Sequence, residues 1–519
     1  MAADIKILKR PYFLFFVICL IWLPINLYSL STYFSPFWED AWESSSAVNW
    51  LATGQLESTI FGHIEGIYSN QSLLRLYLIS LAMVFKAFGV GLIQGRLFTV
   101  VALFVGGWLL FILGRRMYGD VVGLLVATLY LFSLRTLGPS HSVARPDLWG
   151  NAAGIACLLF VWQVIESRKL WQAFWAGVFV AASVDIYLIV AYFSVAASVL
   201  MLVEFIRRDR AVLGAYMLGG FLGTLYWFTS RLLPDPSLAI SNWQSVYTMF
   251  PLRQNLESPY LFSSLIEITY ITFAWGIIGH SQIGWLELIY ILLGFMALLL
   301  RRTPADRFVL LSWIIIWAGY YNPYKGLRHL IELVPHFSLA MAIGITFFGN
   351  WFAENLNRNW ARIIIGASST LLILGYAAGQ LVIGWRGSIL DYYRYAAKVE
   401  TLVPRNSSVL GEMSWWWVLR DRAFTADYYL SLIRTARPSL PASNIVEMVV
   451  AERLIDVVLL DEHFHVREYD NNMDLQLALI DYANTHCKSV GLVDDYGYGV
   501  ETGGVRVKRT EVFVCGSKP

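Results

Sequence analysis

Long apolar runs, each ended by basic residues, constrain this chain more tightly than any other feature. The first, Tyr12 to Leu30, is too long for the apolar region of a signal peptide and lacks a small-residue cleavage site, so it is expected to persist as a spanning helix. Lys6, Lys9 and Arg10 precede it, and the bias of Lys and Arg toward the cytoplasmic side places the N-terminus in the cytoplasm. Basic groups recur at Arg115-Arg116, Arg168-Lys169, Arg207-Arg208 with Arg210, Arg301-Arg302 with Arg307, and Arg358 with Arg362, each marking a cytoplasmic loop. Threading the chain through these anchors predicts spans near 12–30, 96–113, 121–137, 148–166, 171–186, 187–206, 212–230, 284–300, 308–321, 328–348 and 363–385, about eleven helices. An odd number leaves the C-terminus outside. A hydrophobic share of 57% with only 15% charged residues fits a polytopic α-helical membrane protein and excludes a water-soluble chain of 519 residues. The lipid bilayer is therefore an expected partner. A balance of 39 Lys+Arg against 37 Asp+Glu gives no reason to expect nucleic acid.

Two further apolar stretches, Leu73 to Phe88 and Tyr260 to Ile278, would each reverse the parity if they crossed. Both are expected to lie along the outer interface, the first interrupted by Arg75 and Lys86, the second carrying Glu267. Past Trp385 the apolar runs shorten and charges become frequent, which divides the chain into a membrane part, 1–385, and a soluble extracytoplasmic α/β domain, 386–519. Strands are expected at Ser408–Glu412, Asp456–Leu460, Ser489–Val493 and Val505–Val514, and helices at Ala426–Arg434, Ile445–Leu454 and Leu475–Asn484. No GxGxxG or GxxxxGK[ST] accompanies these strands, so nothing beyond the α/β pattern supports a nucleotide site. Of the 4 cysteines, Cys19 and Cys157 lie in apolar runs, and Cys487 with Cys515 is the pair placed to form a disulfide.

Chemistry concentrates after the first span, in Phe37-Trp38-Glu39-Asp40-Ala41-Trp42-Glu43 followed by Asn49, Leu51 and Gly54. Adjacent carboxylates among aromatics at a membrane surface repel each other and lose hydration, so their charge calls for a metal, a base or a substrate. A helix N-terminus would also accommodate Glu39 and Asp40, with the Trp residues anchored at the lipid surface. Both readings are compatible with composition.

A carboxylate pair just after the first span, an aromatic, then Asn49, Leu51 and Gly54, resembles the first outer loop of GT-C-type glycosyltransferases. It is most similar to the protein O-mannosyltransferase and aminoarabinose-transferase group. Gly95-Arg96 opening a span, Arg115-Arg116-Met117-Tyr118-Gly119 closing it, Ala144-Arg145-Pro146-Asp147-Leu148, and Arg328 followed by Leu333-Val334-Pro335 fit the same order. Two departures stand out. The pair reads Glu39-Asp40 where the family has Asp-Glu or Asp-Asp, and Asn70-Gln71-Ser72-Leu73 stands where mannosyltransferases have His-Pro-Pro.

The resemblance implies an inverting transferase that moves a sugar from a polyprenyl-phosphate donor to an acceptor hydroxyl on a glycan, lipid or protein at the outer membrane face. Such a reaction needs a carboxylate to take the hydroxyl proton and cations to hold the departing phosphate. Asp40 or Glu39 is the expected base. Asp147 is expected to bind acceptor or hold a metal, or else to be an acid at a helix N-terminus, with Arg145 pairing to it or sitting at the headgroups. Lys325 and Arg328 lie on an outer loop against the positive-inside trend and, with Arg96 and Arg145, are expected to hold the phosphate, although snorkelling to headgroups explains a single cation. His63 and Glu65 are the candidate ligands of a divalent metal. The loop 231–259 is expected either to cover the site or to form an interfacial helix.

Met413-Ser414-Trp415-Trp416-Trp417 also resembles the Trp-Trp-Asp of oligosaccharyltransferases, with Trp417 in place of the Asp. From another class, a transporter or flippase of a lipid-linked glycan would place acids at the membrane midplane, where Asp185 is the main candidate.

Overall fold

The computed structural model describes residues 2–32, 38–61, 74–136, 145–187, 190–233, 236, 284–320, 331–355, 358–388, 392–461, 473–495, 500–501, 504–505 and 508–516. Each expected span coincides with a helix: α1 (Ala2–Thr32), then, after α2 (Trp38–Thr53) and α3 (Arg75–Phe88), α4 (Leu92–Tyr118), α5 (Asp120–Phe132), α6 (Asp147–Ser167), α7 (Leu170–Ala182), α8 (Val190–Phe205), α9 (Arg210–Trp227), α10 (Gly284–Arg301), α11 (Pro304–Tyr320), α12 (Val334–Asn355) and α13 (Arg358–Ser388). Among the described residues, 7 helices are long and apolar enough to cross a bilayer. Asp120–Phe132, Leu170–Asp185 and Val190–Phe205 are shorter apolar helices. The stretch Tyr260 to Ile278 and most of the loop 231–259 lie outside the described residues.

Helices in a bilayer gain little from hydrophobic exclusion and associate through close backbone approach. This bundle does so at glycines. A Cβ on Gly219 of α9 would sit 1.9 Å from the Phe174 carbonyl oxygen of α7, and one on Gly294 of α10 would sit 1.9 Å from that of Ala340 in α12. One internal helix end is buried. The main chain leaves the helix at Ser133, and the Leu131 carbonyl accepts from Trp22 Nε1 at 2.8 Å and Gln380 Nε2 at 3.4 Å. Arg135, just beyond, is ion-paired to buried Glu287 at the start of α10. Buried backbone that leaves the helix requires such internal partners.

Past the bundle come α14 (Tyr392–Leu402), β1 (Ser408–Gly411), α15 (Trp416–Leu419), β2 (Ala423–Ala426), α16 (Tyr428–Ala436), α17 (Ala442–Glu452), β3 (Val457–Asp461), α18 (Met473–His486), β4 (Cys487–Asp495), a small hairpin of β5 (Val500–Glu501) and β6 (Gly504–Val505), and β7 (Lys508–Cys515). The five-stranded sheet has the order β2-β1-β3-β7-β4, parallel across β2, β1 and β3 and antiparallel at β7 and β4. Strand alternation separates two cores. Leu410, Val458 and Leu460 face Ile433, Ile445 and Leu479 from α16, α17 and α18. Val409, Val457 and Leu459 face the other way, sharing a core with Tyr395 of α14, Trp415, Ala41 of α2, and Tyr77 and Leu81 of α3. Within the stretch expected along the outer interface, Arg75–Phe88 is helix α3, whose buried residues belong to this second core. Cys487 and Cys515 are directly opposed on β4 and β7 and form the expected disulfide.

Candidate active site

Helix α2 opens with the carboxylate pair. Glu39 lies in its first turn, and Asp40 is fully buried, as are Ala41, Ser44, Ser45, Ser46 and Ala47 behind it. Glu43, three residues on from Asp40, returns to the same helix face. Opposite stands Tyr77 of α3, fully buried, whose hydroxyl is hydrogen-bonded to Glu43. Burial pushes this phenol well above its ordinary pKa, and the charges of Glu43, Asp40 and Asp147 add to the shift in that order. One phenol therefore senses three carboxylates drawn from two segments more than a hundred residues apart.

Asp147 is the first residue of α6 and is buried; Arg145, two residues earlier, meets it at 2.7 Å. The Nε–H of Arg145 makes no well-aligned hydrogen bond across that gap, so the contact is best described as an ion pair. Rings tie the same elements together: Tyr77 to Phe98 of α4 at 5.8 Å between centroids, and Phe98 to Trp149 of α6 at 4.8 Å.

Arg96, two residues before Phe98, is 2% exposed and donates to the Leu30 carbonyl at 3.4 Å. It also faces Tyr393 of α14, which Arg420 approaches from the end of α15. Burial raises the Tyr393 phenol pKa, while Arg96, Arg420 and the Leu92 backbone N–H oppose that rise. Tyr393 thus feels two guanidinium charges, one from the bundle and one from the C-terminal part, beside the start of α4.

Asn49 and Gly54 shape the loop that follows. Gly54, at φ +78°, ends α2 in the left-handed region that glycine tolerates, and Asn49 Nδ2 donates to the Glu57 carbonyl at 3.0 Å. The Ala426 N–H then donates to Ile60 at 2.9 Å, fastening the loop to the open edge of β2. A cleft of about 470 Å³ lies between α2 and that edge, with Asn49, Trp416, Arg420, Arg422 and Arg453 in its walls. The tryptophans of Met413–Trp417 are core residues: all three are buried, and Trp415 donates to Asp461 at 2.9 Å.

Lys325, Arg328, His63 and Glu65 lie outside the described residues. Among the described residues no group of three or more His, Cys, Asp or Glu is arranged to hold a metal ion. Asp185 is buried in the short 3-10 turn that follows α7. Sequence reasoning assigned no role to Glu43, Tyr77, Tyr393 or Arg420. The Asp40-to-Glu43 spacing was a usable signal for the first; nothing local pointed to the others.

No protein-family model matches the chain, and no curated protein matches it in sequence. Solved structures do match in fold. ArnT from Cupriavidus metallidurans in the apo state shares 12% identity over 100% of both chains with a TM-score of 0.64. The same protein bound to undecaprenyl phosphate shares 11% over 95% of this chain and 97% of its own, with a TM-score of 0.63. An oligosaccharyltransferase from Archaeoglobus fulgidus, tethered to an acceptor peptide, shares 10% over 91% of this chain and 72% of its own, with a TM-score of 0.52. The membrane bundle with its C-terminal sheet is the GT-C fold of these proteins.

Proposed function

We propose that this chain, built on the GT-C fold, is an inverting glycosyltransferase that moves a sugar from a polyprenyl-phosphate donor to an acceptor hydroxyl at the extracytoplasmic face. The observation that carries this reading is that Asp40, Glu43 and Asp147 all act on the buried Tyr77 phenol, while the cations Arg96 and Arg420 both act on Tyr393. Likeness in fold to an ArnT structure bound to undecaprenyl phosphate supports the donor class. The N-terminus is cytoplasmic in this proposal, and residues 386–519 form the extracytoplasmic domain.

In the reaction, a carboxylate takes the acceptor hydroxyl's proton as the oxygen attacks the anomeric carbon. The bond from that carbon to the phosphate oxygen breaks, and the lipid phosphate leaves with the electron pair. Asp40 is assigned as the base, with Glu39 as its neighbour in the same turn. Glu43, held by its hydrogen bond to Tyr77, is the positioning residue on the helix face it shares with Asp40. Asp147, held by Arg145, orients the acceptor. Arg96, with Lys325 and Arg328, takes the charge that grows on the phosphate. His63 and Glu65, outside the described residues, stay the candidate ligands of a divalent metal, and the steps above use only the chain's own side chains.

Incubating the purified protein with polyprenyl-phosphate sugars tests the proposal. Release of free lipid phosphate that requires Asp40 is expected; absence of both lipid-phosphate binding and donor turnover would refute it.

A further inference from the structure

Among the described residues, Arg168, Arg302 and Leu454 are the non-glycine positions with positive φ. The first two are basic groups at the C-terminal ends of α6 and α10, where the helix dipole favours a cation. Leu454, at φ +50°, has no such reason. It follows α17, whose end is closed by the Leu454 N–H on the Ala451 carbonyl at 3.4 Å and the Ile455 N–H on that of Val450 at 3.0 Å. That pattern puts Leu454 at the left-handed position which glycine normally fills. Leucine is strained there, and its side chain is 77% exposed, so packing does not offset the strain. Strain that packing does not explain directs attention to what the residue touches outside the fold.

Leu454 stands on the wall shared by two clefts beside β2, the one of about 470 Å³ against α2 and another of about 360 Å³ at the N-terminal ends of β1 and β2. At Asn49 the larger cleft is about 13–14 Å along α2 from Asp40. One of its walls is the open edge of β2. The Asp427 N–H donates to Gly411 of β1 at 2.8 Å, while the Ala426 N–H donates the other way, to Ile60, at 2.9 Å. Alternation along the strand therefore turns the N–H and C=O of Phe424 away from β1 as well, on the side of the cleft that Phe424 lines. No backbone group of the described residues bonds to them there. The charge of the larger cleft is positive on balance. Arg422 is matched by Asp421 at 2.9 Å and Glu400 at 3.6 Å. Arg420 and Arg453 make no ion pair among the described residues, and the carboxylate in the same walls is that of exposed Glu452. Arg453 is held in place by Thr425 Oγ1 at 3.3 Å and by the Tyr429 ring, 5.7 Å beneath it.

We propose that this cleft is a docking site for an extended acidic polypeptide segment of a partner protein, which adds to the edge of β2 at Phe424, sets an apolar side chain against Leu454 and places a carboxylate on Arg453. A peptide unit supplies a donor, an acceptor and a side chain at the spacing of a strand, and these are the three things the cleft presents a match for. A lipid headgroup or a saccharide does not supply all three. The surface lies apart from the carboxylates around Tyr77, so it stands whether or not the transfer reaction does.

The test reads binding to the full chain, with no donor present. Capped, fluorescent hexapeptides are titrated and followed by anisotropy: one of alternating valine and glutamate, one of alternating valine and lysine, and the first again with every backbone nitrogen methylated. The glutamate peptide is expected to bind about tenfold more tightly than the lysine peptide, and methylation to abolish binding. Leu454→Gly should weaken the glutamate peptide by about tenfold through the lost apolar contact. The same variant should unfold at or above the wild-type temperature, because glycine is at ease in the left-handed position. Arg453→Gln should bring the glutamate peptide down to the level of the lysine peptide. No binding of the glutamate peptide would overturn the proposal, as would binding that survives methylation or is unchanged in both variants. A lowered unfolding temperature for Leu454→Gly would also overturn it, by making that leucine structural, and so would an oligogalacturonate that binds as tightly as the peptide.

Discussion

Arg145 and Asp147 separate a structural role from a chemical one. Their side chains are 9% and 4% exposed, and they meet at 2.7 Å. Removing one member of such a pair strands a charge in a dry site and costs about 3–5 kcal/mol, whereas replacing both by apolar residues is often neutral or better. Arg145→Met strands Asp147 close to two more carboxylates, Asp40 and Glu43, so the upper part of that range applies. At about 2 °C per kcal/mol for a large domain, the midpoint of thermal unfolding should fall by about 8–10 °C. The double variant Arg145→Met with Asp147→Leu loses only the acid at the start of α6, worth about 0.3–1 kcal/mol, and should unfold within about 2 °C of wild type. Its transferase activity should nevertheless be lost, because the group that orients the acceptor is gone. Intrinsic fluorescence during a thermal ramp, alongside a transfer assay, measures both. A double variant as labile as Arg145→Met would refute the buried-pair argument, and one that transfers sugar at the wild-type rate would remove Asp147 from the reaction.

Asp40→Asn keeps the shape of a fully buried side chain but cannot accept the proton, so turnover should fall by about 10²–10⁴ while bound lipid phosphate is retained; Glu39→Gln, assayed in parallel, should show the smaller fall. Arg420→Ala should lower kcat/KM for the donor by about tenfold and leave acceptor dependence unchanged, and donor titrations at fixed acceptor check this. Cys487→Ser should destabilise the C-terminal sheet by about 3–4 kcal/mol, from a cross-link spanning 28 residues, read as a shift in denaturation under non-reducing conditions that vanishes when wild type is reduced.

How far the fold could be read from residues alone follows from what each signal is made of. Apolar runs bounded by Arg pairs are local and redundant, so every expected span met a helix. The ends moved where packing, not hydropathy, sets them: α4 starts at Leu92 because α3 and α4 share a core with the sheet, and α5 stops at Phe132 because partners for the Leu131 carbonyl are at hand. In the C-terminal part the expected strands appear as β1, β3, β4 and β7, but β2 was not anticipated. Ala423-Phe424-Thr425-Ala426 is short and only partly apolar, and it becomes a strand through parallel pairing with β1 and the Ile60 contact, neither of which is local. Helix α14 was also missed, although Tyr392, Tyr395, Ala396 and Val399 carry the i, i+3, i+4, i+7 spacing of a buried face.

The candidate site shows the same division between local and distant information. A carboxylate pair beside aromatics was visible because it is contiguous, and Arg145 with Asp147 because they are two residues apart. Tyr77 was not, since a tyrosine in an apolar amphipathic helix has no mark that separates it from a membrane-interface anchor. Its position acquires meaning only when α3 turns that face toward α2 and α6. The same holds for Arg420, an exposed residue of the sheet domain that faces Tyr393 together with Arg96 of the bundle. Such a pairing across two cores makes the C-terminal sheet part of the site in this reading, because a guanidinium that reaches Tyr393 from α15 can act on the donor only while the sheet stays seated on α2 and α3. Loss of that seating, as at the Ala426–Ile60 contact, should therefore weaken donor binding without touching a carboxylate.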